Sequence, residues 1–305
     1  MPDPAHWLNK LRHLKTHRSA NKGTAPHKPC LLLSLLDMAQ DGELIAPDLR
    51  RTPGLHARFN AFTSIALPRW GGKVDVRYPF YHLKSQGFWQ PLEAEGRPSQ
   101  GVDATESVRL DPDYLACSQD PEFRRSARII LVETYFPPEE RVALYALLGV
   151  RAQTAEFQKQ LSELQEPMAE YALQQGRSAR FSVQIVCGYQ HTCALTGYRI
   201  ITNSGESVVE AAHIEPFAKT RNNDIHNGLA LSRNAHWAFD RGLWSVDDQF
   251  RILVNPNRFQ EWGPTELGLI HYRGHMLQFA PQSTLRPHPE YLHEHRKAWG
   301  FAKSA

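Results

Sequence analysis

The sequence has little cysteine: four residues in 305, Cys30, Cys117, Cys187 and Cys193, scattered and without paired spacing. That scarcity excludes a disulfide-built secreted scaffold. Long apolar runs are missing too, and none approaches the about 20 consecutive residues that a membrane-spanning helix needs. The opening stretch MPDPAHWLNKLRHLKTHR lacks the apolar core of a secretory signal, so a cytoplasmic location and no membrane partner are expected. Charge of one sign is also lacking. The formal net charge is only +3 with neutral histidines, which rules out a polybasic tail protein. No internal repeat or low-complexity tract is visible. What is present is ordinary globular material, 41% hydrophobic and 22% charged, in a length that suits two domains of roughly 150 residues.

The charge asymmetry is local. Lys10, Arg12, Lys15, Arg18, Lys22 and Lys28 crowd the first 28 residues against Asp3 alone, with His6, His13, His17 and His27 between them. Such a patch suits phosphates, or else is a solvated helix face. Residues 5–18 read as a short amphipathic helix with Trp7, Leu8, Leu11 and Leu14 on one side. A loop follows, and CLLLSLLDMAQDGEL reads as a buried helix with Pro29 in its first turn and Gly42 past its end. Residues 55–65 predict another helix. Residues 74–92, alternating aromatic and polar around Gly87, predict short strands. PDYLACSQDPEFRRSARIILVETYF closes the first domain in helical pieces. Residues 161–180, with Gly176 interrupting the second half, read as a helical connector between domains at 1–160 and 181–305. From 181 onward strands and turns are expected, with one short helix near 232–241. The fold class is therefore α+β, mainly helical at the N-terminus.

The chemistry concentrates between Cys193 and Val254. His213 ends the apolar run VVEAAHI, Asn227 follows fourteen residues later, and His236 nine residues after that. Asp240 stands four residues beyond His236, so on a helix the two side chains share a face and can grip one cation. A neutral imidazole that takes a proton from water, beside a cation that offsets charge on phosphorus, is what phosphodiester hydrolysis requires. Trp237, Phe239, Leu243 and Trp244 read as core packing around this motif.

This segment resembles the HNH endonuclease family, through His213, Asn227 and His236 together with the flanking CALTG, AAHI, NGLAL and AFDRG patterns. The resemblance implies a ββα-metal unit. In it His213 is the catalytic base, Asn227 braces the loop, and His236 and Asp240 hold a divalent ion, Mg²⁺ or Mn²⁺. Two departures stand out. Ala212 occupies a position where many relatives carry a further ligand, leaving Glu210 as a weak third candidate. The two CxxC pairs of zinc-binding relatives are missing, so no structural zinc is expected and Cys187 and Cys193 read as small buried hydrophobes.

PHKPCLLLSLLDM (26–38) and RYPFYHLKSQGFWQP (77–91) look like the sulfur-binding domain of type IV, modification-dependent restriction endonucleases. By that resemblance the partner is double-stranded DNA bearing a phosphorothioate. Tyr78, Pro79 and His82 would form an apolar cup for sulfur, and His27, Lys28 and Arg77 would hold neighbouring phosphates. A homodimer would allow both strands to be cut. Three alternatives stay open: a reader of another mark, a decayed DNA-binding protein, and an RNA-directed nuclease.

Overall fold

The computed structural model describes residues 3–72, 75–151, 153–202, 205–281 and 283–301. It divides into two compact units, Met1–Arg180 and Phe181–Ala305, each with its own core. The helices, in chain order, are α1 (Pro4–Arg12), α2 (His27–Gln40), α3 (Pro53–Trp70), α4 (Arg77–His82), α5 (Pro112–Gln119), α6 (Pro121–Tyr135), α7 (Pro138–Leu147), α8 (Ala155–Ser162), α9 (Glu166–Gly188), α10 (Phe217–Thr220), α11 (Arg233–Phe239) and α12 (Pro289–Trp299). The strands are β1 (Arg18–Ser19), β2 (Gly23–Thr24), β3 (Asp48–Arg50), β4 (Trp89–Leu92), β5 (Ser107–Leu110), β6 (Val209–His213), β7 (Gly228–Ser232), β8 (Trp244–Val246) and β9 (Ile252–Val254). Helix and antiparallel sheet are thus mixed. None of the described helices is long and apolar enough to cross a membrane.

In the first unit α2 is the central rod. Every residue from Pro29 to Ala39 is buried, and α3, α4, α5 and α6 pack around it. An all-round apolar helix has no solvent face, and this one is enclosed accordingly. A three-stranded antiparallel sheet in the order β3-β5-β4 lies in the same unit. At the end of α2 the guanidinium of Arg58, 2% exposed, gathers Asp37 at 3.0 Å, Asp41 at 2.6 Å and Glu43 at 2.8 Å. A buried arginine is tolerated because its donors are matched by carboxylates.

Several elements differ from their sequence-based expectation. The first helix stops at Arg12 rather than running to 18, and the Tyr135 hydroxyl ties down its end, accepting from Leu14 N at 2.7 Å and donating to Leu11 O at 2.8 Å. The helix expected at 55–65 spans Pro53–Trp70. Within the stretch expected as strands, residues 77–86 are helical and only Trp89–Leu92 pairs in a sheet, while residues 73 and 74 lie outside the described residues. The pattern was ambiguous because Phe80 and Leu83 point inward at helical spacing over barely one turn, too short to separate a period of 2 from 3.6. Helix α9 continues to Gly188, so residues 181–188 are helical, and α12 is a helix that the sequence reading did not anticipate.

The residues expected as a connector, 161–180, fall inside the first unit, and Gly176 there has a packing role. A Cβ on it would lie 2.2 Å from Ala143 O and 2.7 Å from Ala146 Cβ, so its absence lets α9 approach α7 closely. Helix propensity alone favours Gly176→Ala by about 1 kcal/mol. The steric cost of overpacking is about 1–3 kcal/mol and should win. Gly176→Ala should therefore lower the denaturation midpoint of the full chain; a raised midpoint would show that the two helices are not in contact there.

Candidate active site and candidate binding pocket

In the second unit β6 and β7 form an antiparallel hairpin in which His213 stands opposite Gly228, Ala212 opposite Leu229 and Glu210 opposite Leu231. The connecting loop is tied by Asn227, whose side chain is fully buried. Its Oδ1 accepts from Glu215 N at 2.9 Å, and its Nδ2 donates to the carbonyls of Asn222 at 3.2 Å and Glu215 at 3.3 Å. Both functions of the amide are used inside the loop, which holds the chain leaving His213 in one conformation. The Asn227–Gly228 pair reads as a turn signal in sequence. Gly228 is instead extended, with φ −138°, and its missing side chain admits Ile185, whose Cδ1 would lie 2.4 Å from a Cβ there.

The His213 ring stacks on Phe181, with centroids 4.0 Å apart and planes at 8°. Its Nε2 lies 3.0 Å from Asn223 Oδ1. An amide oxygen only accepts, so this contact places the proton on Nε2 and leaves the Nδ1 lone pair free. Burial pushes the His213 pKa below the ordinary imidazole value. The Asn223 hydrogen bond opposes that shift, the charge of His236 adds to it, and the charge of Asp240 opposes it.

His236 and Asp240 sit on the last turn and C-cap of α11. His236 Nδ1 lies 2.8 Å from Glu210 Oε1, and its Nε2 lies 3.4 Å from Asp240 Oδ2. If Nδ1–H donates to Glu210, Nε2 and Asp240 confront one another as two lone pairs. A shared cation resolves that repulsion, and adjacent ligands with bonds of about 2.1 Å stand about 3.0–3.4 Å apart. The pair therefore fits a hard divalent ion that completes its shell with water or phosphate oxygens. Glu210, expected as a weak third ligand, is positioned to orient His236. Ala212 is fully buried in the core, and among the described residues no group of three or more His, Cys, Asp or Glu could hold a metal. Cys193 is fully buried as expected, and Cys187 half-buried.

His213, His236 and Asp240 line one cleft of about 390 Å³. Residues 193–247 match the family model described as HNH endonuclease. The cleft's Pro216 and Phe217 also lie in that match, whereas His295 and Trp299 of α12 come from outside it. No curated protein sequence matches the chain. Among solved structures the chain is similar to one titled "Modification dependent TagI restriction endonuclease", at 20% identity and a TM-score of 0.31, covering 39% of this chain and 37% of that one.

One residue expected in the core around this HNH domain is on its surface. Trp237 is 54% exposed, because Ala235, Ala238 and Phe239 take the inward side of α11. Phe239, Leu243 and Trp244 are buried as expected.

The first unit carries a second hollow, of about 460 Å³, whose lining includes His27, Lys28, Tyr78, Pro79 and His82. Lys15, His17 and Lys84 line it as well, and among the described residues no carboxylate does. Lys28 Nζ donates to Lys15 O at 2.7 Å and Ser85 Oγ at 3.0 Å. Burial, then the charge of Lys15, pushes its pKa down. Burial also lowers the pKa of His27, and that of His82, where Lys28 and Lys84 add to the effect. Arg77 is not part of the lining: it pairs with Asp75 at 2.6 Å and Asp103 at 2.9 Å. Its sequence neighbour Asp75 was the signal that sequence reasoning overlooked, as was the Asn222-Asn223-Asp224 run for Asn223.

In the metal-free protein the His213 ring should titrate below the ordinary value of about 6.5. Asn223→Asp puts a carboxylate at Nε2 and favours the imidazolium, so the His213 midpoint should rise by about 1 unit or more. Histidine-labelled NMR titration reads both; an unmoved His213 midpoint would show that Asn223 is not its partner.

Proposed function

We propose that the chain is a divalent-metal-dependent endodeoxyribonuclease that binds phosphorothioate-marked double-stranded DNA through its first unit and hydrolyses phosphodiester bonds with its second. The observation that carries the hydrolytic part is the shared cleft of His213, His236 and Asp240 inside the HNH match. His213, neutral because its surroundings are apolar, takes a proton from water at Nδ1. The water oxygen forms a bond to phosphorus as the bond to the leaving oxygen breaks, and that oxygen takes a proton from solvent. Asn223 fixes the tautomer and Phe181 the ring plane. Asn227 braces the loop behind them. His236 and Asp240 would hold the Mg²⁺ or Mn²⁺ ion, which supplies charge stabilisation at the phosphate. Cutting both strands takes two such units, as in a homodimer, or two successive nicks.

The reading of the first unit is supported by a hollow that combines cations with apolar walls. Sulfur is larger, softer and more weakly hydrated than oxygen, so the Tyr78 ring and the Pro79 edge favour it where an ordinary phosphate oxygen loses hydration. His27 and His82 would flank the sulfur, and Lys28 would face the residual negative charge. Arg77, engaged by two aspartates, has no part in this site.

Matched phosphorothioate-marked and unmarked plasmids, incubated with Mg²⁺ or Mn²⁺, test both halves. The marked plasmid should be cut and the unmarked one spared. His213→Ala should slow cutting by about 10²–10⁴-fold with the fold retained. Tyr78→Ala should reduce the preference for the marked plasmid by about 10-fold. Equal binding and cutting of both plasmids by the wild type would overturn the sulfur reading, and no cutting under any divalent ion would overturn the nuclease.

A further inference from the structure

Trp237 is the anomaly of the second unit: a large aromatic side chain, 54% exposed, one position from a proposed metal ligand. It is also occupied. The Arg241 guanidinium lies 4.5 Å from its ring centroid, and Arg241 Nη1 donates to Trp237 O at 3.4 Å. Arg233, with a side chain 89% exposed and its Nε 3.9 Å from Glu210 Oε2, stands one helical turn earlier. Arg233, Trp237 and Arg241 therefore form an i, i+4, i+8 stripe on α11 and its immediate continuation, beside His236 and Asp240.

We propose that this stripe is the contact surface for the DNA backbone flanking the scissile phosphate. Trp237 acts as a platform for the Arg241 guanidinium. Two arginines beside a phosphate-cutting cleft complement a polyanion, and the backbone of a duplex in that cleft offers phosphates at regular spacing on either side of the one being cut. A guanidinium already stacked on an indole loses less freedom when it grips a phosphate through its planar fork. Trp237 is then a positioning residue for Arg241, which explains why an indole is kept in water.

The proposal rests on the nuclease reading above. Duplex binding by the full chain, followed by fluorescence anisotropy across 50–300 mM salt in a His213→Ala background, reads it directly, with the KM for cleavage measured on chains that retain His213. Arg233→Ala with Arg241→Ala should flatten the slope of log K against log salt by about 0.9 for each phosphate released, and raise KM about 10-fold. Trp237→Ala should weaken binding about 2- to 5-fold with no change in charge, and Trp237→Phe should restore most of it. Arg241→Lys keeps the charge, so it should retain the salt slope while weakening binding about as much as Trp237→Ala, because the planar fork is lost. A slope unchanged in the double variant, in a protein whose wild type cuts DNA, overturns the stripe alone. An Arg241→Lys chain that matches the wild type overturns the platform. A wild type that neither binds nor cuts duplex DNA overturns the stripe and the nuclease together.

Discussion

The second unit depends on one buried amide. Asn227 spends its oxygen and its nitrogen on the loop between β6 and β7, so the chain leaves His213 along a single path. The strand register then sets His213 against Gly228, and the absence of a side chain at Gly228 brings Phe181 close enough to stack on the imidazole. Helix α11 adds His236 and Asp240 to the same cleft from the far end of β7. Remove the amide and three partly buried backbone groups, Glu215 N, Glu215 O and Asn222 O, lose their partners.

Desolvation governs both hollows, with opposite consequences. Around His213 it keeps the imidazole neutral, the state in which a lone pair can receive a proton. Around Lys28 it leaves a cation short of solvent beside Lys15, in a lining without carboxylates among the described residues, which favours an incoming anion. One property, apolar surroundings for a titratable group, lowers the pKa of a histidine in one unit and of a lysine in the other. The orientation of His236 follows another rule: a carboxylate on one ring nitrogen turns the other toward Asp240.

The nuclease motif was legible because its spacing is local. His236 and Asp240 lie one turn apart on a helix, and His213 and Asn227 bound a single hairpin connection, so sequence distance maps directly onto space. Glu210 and Asn223 were harder to read, since their roles come from strand register and loop closure. Trp237 departs from the expected burial because aromatic character alone does not set the face of a helix: Ala235 and Phe239, two residues to either side, take the inward one. In the first unit His27, Lys28, Tyr78, Pro79 and His82 do converge on one hollow, but the helical setting of Tyr78, Pro79 and His82 is hidden by a segment too short to show its period. Lys15 and His17 belong to the basic patch of the first 28 residues, but their place at this hollow, like that of α12 at the cleft, arises from tertiary packing.

The central claim is that one divalent ion at His236 and Asp240 sits beside the His213 ring. Paramagnetic relaxation tests it most directly: Mn²⁺ titrated into histidine-labelled protein broadens resonances steeply with proximity. The account predicts that His236 and His213 broaden first and together, and that Asp240→Ala protects both. Broadening elsewhere, with the His213 ring unaffected, would contradict it.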